Sequence, residues 1–223
     1  MALKEYAVGH RERLRHKYLE TGLVESELLE LMLTYAVPRV DVKPIAKALL
    51  KEFGSIYDVI TAPLKDLMKI PGIGQNAGIL LNLFHVVDMR SCVHLLKNRP
   101  IFHNFDVLEN YALKKLSHLK IEEFHVLYLD REKRLLKEDL HAAGTNDYTT
   151  VYPREIVRRA MDLNAKAVFL MHNHPGGHPM FSAEDIDLTY RIIKVLKDFE
   201  IEFMDHILIS GGRIFAARNE FLK

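Results

Sequence analysis

The first hundred residues carry apolar side chains at helical spacing, separated by short polar breaks. Two such stripes are Leu28, Leu29, Leu31, Met32, Leu33 and Tyr35, and Ile45, Ala46, Leu49, Leu50 and Phe53. Glycines and prolines stand where these segments end, and they are densest in the Pro-Gly-Ile-Gly run at 71–74. Helices of about ten residues with short links predict a compact helical bundle.

The pattern changes after Asn98-Arg99-Pro100, where runs rich in β-branched and aromatic residues begin. Strands are predicted over 123–130, 165–171 and 206–210, and the pair Gly211-Gly212 predicts a hairpin to a further strand at 213–217. Two amphipathic helices are predicted between them, from Pro153 to about 163 and from Ser182 to about 199. We therefore expect an all-helical domain at 1–99 and a mixed α+β or α/β domain at 100–223.

The composition, 48% hydrophobic and 27% charged, is that of a folded globular protein. The net charge is only +1, so any nucleic-acid contact must depend on a local patch. No uninterrupted apolar run approaches the roughly 18 residues that span a bilayer, and no secretory signal is recognised. The single Cys92 cannot form an internal disulfide, which agrees with a reducing cytoplasm. These features predict a cytoplasmic protein without a membrane segment.

The densest chemistry lies directly after the predicted strand at 165–171. His172 and His174 are two residues apart, so on an extended chain they project to the same side and form half of a zinc site. Asp185 is the nearest acidic candidate for a third ligand. Ser182 and Asp185 also have the spacing of a helix N-cap, so a purely structural role stays open for them. A structural role stays open for the histidine pair as well, because a closely spaced pair is not surprising in a chain with 12 histidines.

A catalytic zinc also needs a base that takes a proton from water, and glutamate is the usual choice. The candidates in the second half are Glu122, Glu123, Glu132, Glu138 and Glu155. Glu123 opens the first predicted strand, and its position at a strand edge favours it. Only strand parity separates it from Glu122.

Taken together, these residues resemble the JAMM metalloprotease motif of JAB/MPN domains: His172-x-His174-Pro175, six residues, then Ser182-x-x-Asp185, with a glutamate upstream. Within that superfamily the sequence is most similar to the bacterial RadC group. The motifs that carry the similarity, in order, are Gly144-Thr145-Asn146, 152–157, 163–165, 172–175 and Asp205-His206. The resemblance covers most of residues 101–223. It implies a JAB/MPN-like (cytidine-deaminase-like) sheet domain flanked by helices.

The resemblance also implies roles for individual residues. His172, His174 and Asp185 would bind Zn²⁺, with water as the fourth ligand. Glu123, rather than Glu122, would deprotonate that water, and Ser182 would donate a hydrogen bond to the oxyanion. The expected activity is hydrolysis of a peptide or isopeptide bond in a protein or peptide substrate. A metal-dependent nuclease is disfavoured, because nucleases commonly use carboxylate clusters with magnesium.

The segment 67–78 resembles a helix-hairpin-helix element, which RadC proteins carry ahead of the metal domain. Backbone N–H groups around Gly72, Ile73 and Gly74 would hold a DNA phosphate without reading sequence. Gln75 and Asn76 stand where DNA binders often have Lys or Arg, so the expected contact is weak and non-specific. Docking to a protein stays open. The alternative function is therefore a DNA-associated repair or recombination accessory protein whose metal domain is a scaffold.

Overall fold

The computed structural model describes residues 2–103, 105–144 and 151–222. Thr145 and Asn146, which belong to one of the RadC motifs, lie outside the described residues. The chain divides into two compact units, at residues 1–88 and 89–223.

The described residues of the first unit form helices that are joined by short turns and loops. It contains α1 (Ala2–Glu20), α2 (Glu25–Ala36), α3 (Lys43–Phe53), α4 (Ile56–Thr61), α5 (Leu64–Leu67) and the first part of α6 (Gln75–Asn98). The two apolar stripes of the sequence supply much of its core, in which Leu29, Leu33, Ala46 and Leu49 are fully buried. The predicted helical bundle is confirmed.

Two glycines shape the turn between α5 and α6. Gly72 has φ +91°, a backbone conformation that favours glycine, and a Cβ there would lie 2.6 Å from the Ile45 Cδ1 atom. A Cβ on Gly78, in the first turns of α6, would lie 2.5 Å from the Leu64 Cδ1 atom of α5. The absence of side chains at these positions therefore permits both the tight turn and the close approach of the two helices.

Helix α6 belongs to both units. Ala77 and Leu81 are buried in the first core, whereas Cys92 and Leu96 are buried in the second. The units therefore divide at 88/89, inside the helix, upstream of the predicted boundary at 99/100. By length and composition α6 is apolar enough to cross a membrane, with a mean hydropathy of 1.4 in its most apolar window, a test that core helices also pass.

The second unit is built on a five-stranded sheet in the order β2-β1-β3-β4-β5. Its strands are β1 (Glu122–Leu129), β2 (Leu135–Gly144), β3 (Ala167–His174), β4 (Glu202–Ser210) and β5 (Arg213–Ala216). Strands β3 and β4 are parallel, and the other neighbours are antiparallel. The sequence did not predict β2, because most of this edge strand is polar or half exposed and so lacks an apolar run.

Helices cover both faces of the sheet, and this division positions the site. The α9 face is covered by α8 (Pro153–Asp162) and α9 (Ala183–Asp198), which pack on Val126, Tyr128, Val168 and Leu170. The α7 face is covered by α7 (Phe105–Leu116) and the end of α6, which pack on Leu127, Leu129, Phe169 and Met171. A short 3-10 helix (Ile101–His103) precedes α7, and α10 (Ala217–Glu220) follows β5. Successive residues of β1 and β3 therefore alternate between the two faces.

Candidate metal centre

Three of the predicted site residues converge at the end of β3. The strand continues through His174, past its predicted end at Met171, so both histidines belong to it. The two Nε2 atoms of His172 and His174 are 3.1 Å apart, and the Asp185 Oδ2 atom lies 3.5 and 3.4 Å from them. Zinc bonds of 2.0–2.1 Å at tetrahedral angles would separate ligand atoms by about 3.3 Å. The three atoms therefore have the spacing of three corners of a zinc tetrahedron.

A chain of buried hydrogen bonds fixes which nitrogen of His172 carries the proton. The Thr189 hydroxyl donates to the Asp185 carbonyl oxygen (2.6 Å), so Thr189 Oγ1 must accept from Nδ1–H of His206 (2.7 Å). Burial lowers the pKa of His206 well below its usual value and keeps it neutral, so its Nε2 atom accepts from Nδ1–H of His172 (2.8 Å). The Nε2 lone pair of His172 is thereby left facing His174 and Asp185.

His174 is oriented by the backbone instead. Its Nδ1 atom lies 3.1 Å from the carbonyl oxygen of His178, which can only accept, so Nδ1 carries the proton. The Nε2 lone pair of His174 then points to the same place as that of His172. The His178 side chain itself is exposed and is not in the group of three.

Asp185 serves the helix and the centre with the same oxygen atom. Ser182 caps α9, accepting from the Asp185 N–H (3.0 Å), while its own N–H (2.8 Å) and hydroxyl (2.7 Å) donate to Asp185 Oδ2. The cap and the metal-ligand interpretations of this pair are therefore compatible. The Ser182 hydroxyl proton is committed to Asp185, however, so its role as an oxyanion donor stays a prediction.

The charges and lone pairs of the three side chains favour a positive ion between them. Burial by itself raises the pKa of Asp185, but His172, His174 and the Ser182 hydroxyl outweigh it and hold that pKa well below its usual range. The contact with Asp185 in turn raises the pKa of His174, although burial opposes this. Two lone pairs and a carboxylate within 3.5 Å therefore need either a proton or a metal ion between them.

The pair Asp205-His206 supports the centre from β4. Asp205 is fully buried, forms an ion pair with Arg218, and accepts a hydrogen bond from the His206 N–H (2.8 Å). His206 then holds His172 as described above. The sequence singled out this pair only as part of the RadC resemblance, and it offers no signal for the bond between Thr189 and His206.

Glu123 is not brought to the histidines, and its predicted role as the base does not fit this geometry. The antiparallel register pairs Phe124 with His172, so Phe124 is on the α9 face, and its ring stacks on that of His172 (centroids 6.1 Å apart). Glu123 therefore lies on the α7 face, where its carboxylate is 2.8 Å from the Nε2 atom of His125.

Strand alternation places Glu122 on the α9 face, at the open end of β1. Its side chain is exposed, and its charge contributes to the raised pKa of His174. Glu122 is therefore the acidic residue of β1 that shares a face with the three convergent side chains. Glu122 is two residues from Phe124 and therefore points to the same face of the sheet. The sequence shows this spacing, but only the register between β1 and β3 shows that this face is the one with the histidines.

The α7 face carries a second group of ionisable side chains. His125 lies between two carboxylates, with Nε2 against Glu123 and Nδ1 3.0 Å from Glu138 Oε1. Tyr111 donates to Glu138, and the Lys115 ammonium is 3.5 Å from it. Burial raises the pKa of Glu138, but His125, Lys115 and Tyr111 outweigh it and lower that pKa. This cluster joins β1, β2 and α7, and it places Glu138, another candidate base, away from the metal centre.

Comparison with known protein families identifies the second half of the chain. The family model of the RadC-like JAB domain matches residues 102–222, which is more than half of the chain. The matched segment contains all five strands and the three convergent side chains.

Proposed function

Because the chain belongs to the family of RadC-like JAB domains, we propose that it is a zinc-dependent hydrolase that cleaves an amide bond of a protein or peptide substrate. One observation carries the proposal: His172, His174 and Asp185 present three ligand atoms at tetrahedral spacing, with both imidazole lone pairs directed inward. Two imidazoles and one carboxylate suit zinc better than magnesium, which prefers oxygen ligands. A fourth position, open to water, is what makes such a site catalytic.

The residues of the chain then have distinct tasks. Zinc, when bound, supplies Lewis acidity and lowers the pKa of water from ~16 to roughly 7. Glu122 accepts the proton of the attacking water and passes it to the leaving amine, since it shares the α9 face with the histidines. Ser182 donates to the developing oxyanion if its hydroxyl turns away from Asp185.

Metal analysis of the purified full-length protein tests the site directly. We expect about one zinc per chain, and its loss when His172 and His174 are both changed to Ala while the circular-dichroism spectrum is retained. The matched control changes His125 and His141 to Ala, two partly or fully buried histidines outside the centre. This control should keep the zinc. Wild-type protein without zinc, or a double variant that keeps it, contradicts the proposal.

The substrate class requires an unbiased comparison. We expect wild-type protein, but not the His174→Ala variant, to generate new protein termini when added to a cell lysate, as read by mass spectrometry of amino termini. Identical profiles for the two proteins would count against hydrolysis. The single cysteine, Cys92, is buried and forms no disulfide, and a cytoplasmic location remains part of this proposal.

A second proposal concerns the helical unit, in which Gly72 and Gly74 are exposed at the start of the 24-residue helix α6. Such a helix start can hold a DNA phosphate, so we propose weak, non-specific contact with duplex DNA. Gly74→Asp tests it, because Asp is a good N-cap and a Cβ at Gly74 meets nothing within 4 Å, whereas its charge repels phosphate. Fluorescence anisotropy with a short duplex should show salt-sensitive binding that this variant loses. Equal binding by both proteins contradicts the proposal.

A further inference from the structure

The β1 and β3 backbones are paired from Leu129–Ala167 to Phe124–His172, next to the metal centre. Beyond that point the side chain of Asn173, and not the β3 backbone, forms the hydrogen bonds to the β1 backbone. Asn173 Oδ1 accepts a hydrogen bond from the Glu123 N–H (2.9 Å), and Asn173 Nδ2 donates to the Ile121 carbonyl oxygen (3.0 Å). Asn173 is 2% exposed, so the amide that forms this bridge is buried.

The two bonds grip the chain on either side of Glu122. The Ile121 carbonyl belongs to the peptide group that enters the Glu122 Cα, and the Glu123 N–H belongs to the one that leaves it. One planar amide thus fixes the orientation of both peptide groups. An amide carries its acceptor and donor on separate atoms, which allows it to satisfy both groups at once.

We propose that Asn173, the residue between the two histidine ligands, is a positioning residue that directs Glu122 toward the metal centre. The inference rests on the proposed function, since it concerns the residue to which that function assigns proton transfer. Asn173 lies on the opposite face of the sheet from the two histidines, because strand residues alternate. It therefore acts through the β1 backbone and without touching the reacting atoms.

The bridge itself is tested on the metal-free protein. Asn173→Ala removes both bonds, and Asn173→Val does the same with a side chain that favours strands, in case the alanine variant does not fold. Loss of a buried partner should accelerate hydrogen exchange of the Glu123 amide at least about fivefold in either variant. Unchanged exchange at Glu123 overturns the inference.

The action through Glu122 is tested on cobalt-substituted protein. The readout is the midpoint of the pH titration of its visible absorption, that is, the pH at which half of the spectral change has occurred. A nearby carboxylate influences this midpoint, so Glu122→Gln should shift it. Asn173→Ala should shift it in the same direction and should add nothing in the Glu122→Gln background. The affinity for zinc should stay within about threefold of wild type, since the three ligands are unchanged.

The matched control is Asn82→Ala in the first unit, which removes another amide that donates to two backbone carbonyl oxygens, those of Ile60 and Ala62. It should leave the cobalt midpoint unchanged. An unshifted midpoint in Asn173→Ala, or a shift that adds to that of Glu122→Gln, overturns the inference. Wild-type protein that binds neither zinc nor cobalt overturns the proposed function instead, and the exchange experiment then still reports on the bridge.

Discussion

Each face of the sheet carries a group of histidines and acidic residues, but the two groups are arranged differently. On the α9 face, His172, His174 and Asp185 present their ligand atoms to one point. On the α7 face, each ring nitrogen of His125 has its own carboxylate, from Glu123 or Glu138. Both groups are largely buried, and both combine imidazoles with carboxylates.

The difference between them lies in where the lone pairs point. On the α9 face, Nδ1 of each histidine is bonded to a fixed acceptor, so the Nε2 lone pairs remain free and converge. On the α7 face both ring nitrogens of His125 already face carboxylate oxygens, at 2.8 Å and 3.0 Å. A buried cluster of His and Glu is therefore not by itself a metal site, and the contacts of the far nitrogen decide what it can bind.

The largest expected effect separates the two adjacent glutamates. Glu122→Gln should lower hydrolysis by about 10²–10⁴-fold while zinc stays bound, because it removes the proton acceptor on the α9 face. Glu123→Gln, on the α7 face, should retain most activity. Initial rates on the substrate identified by terminal profiling, together with zinc analysis, measure both. The opposite ranking would restore Glu123 as the base.

The second test removes the support of a ligand. His206→Ala should weaken zinc binding by about 10–100-fold, because His172 loses the acceptor that fixes its tautomer. Thr189→Val should do so to a smaller degree. His125→Ala removes a buried histidine from the other face and should leave zinc affinity nearly unchanged. Chelator competition gives the three values, and equal losses in His206→Ala and His125→Ala would contradict the contrast between the faces.

The third test uses pH. Asp185 raises the pKa of His174 above 6.5, so in the metal-free protein this proton is held until the pH rises through that higher value. Zinc must displace it, and zinc affinity should therefore be full at alkaline pH and fall by up to about tenfold per pH unit below the raised pKa. Chelator competition between pH 8 and pH 5.5 measures the slope. A flat profile across this range would contradict the assignment.

The smallest expected effect is on the free energy of unfolding, to which Glu138 on the α7 face contributes. The pKa of Glu138 is lowered in the folded protein, so its contribution is present above the unfolded pKa of about 4.3 and is lost as pH falls through the folded value. Glu138→Gln should lower the free energy of unfolding by about 1–2 kcal/mol at pH 7, and the difference should shrink at pH 4. Urea denaturation of the metal-free protein tests this, with Glu155→Gln, a partner of Arg158 on α8, as the exposed control. A difference that grows in acid would contradict it.

Much of the fold follows from short-range patterns. The apolar stripes of α2 and α3 define the core of the first unit, and α9 begins where Ser182 and Asp185 form the predicted cap. Strand β2 escaped prediction because its pairing with β1, and not an apolar run, makes it a strand. The units divide inside α6 because one continuous helix supplies residues to two cores.

The sequence by itself singled out His172, His174 and Asp185 as candidate ligands, because residues two apart on a strand share a face and a helix cap places its acid one turn into the helix. The choice between Glu122 and Glu123 belonged to the tertiary structure, since it depends on the register of β1 against β3. The same holds for the support of His172, whose partner His206 is 34 residues away in the chain. Parity and hydrogen-bond direction are set only when strands and helices pack, and no local pattern encodes them.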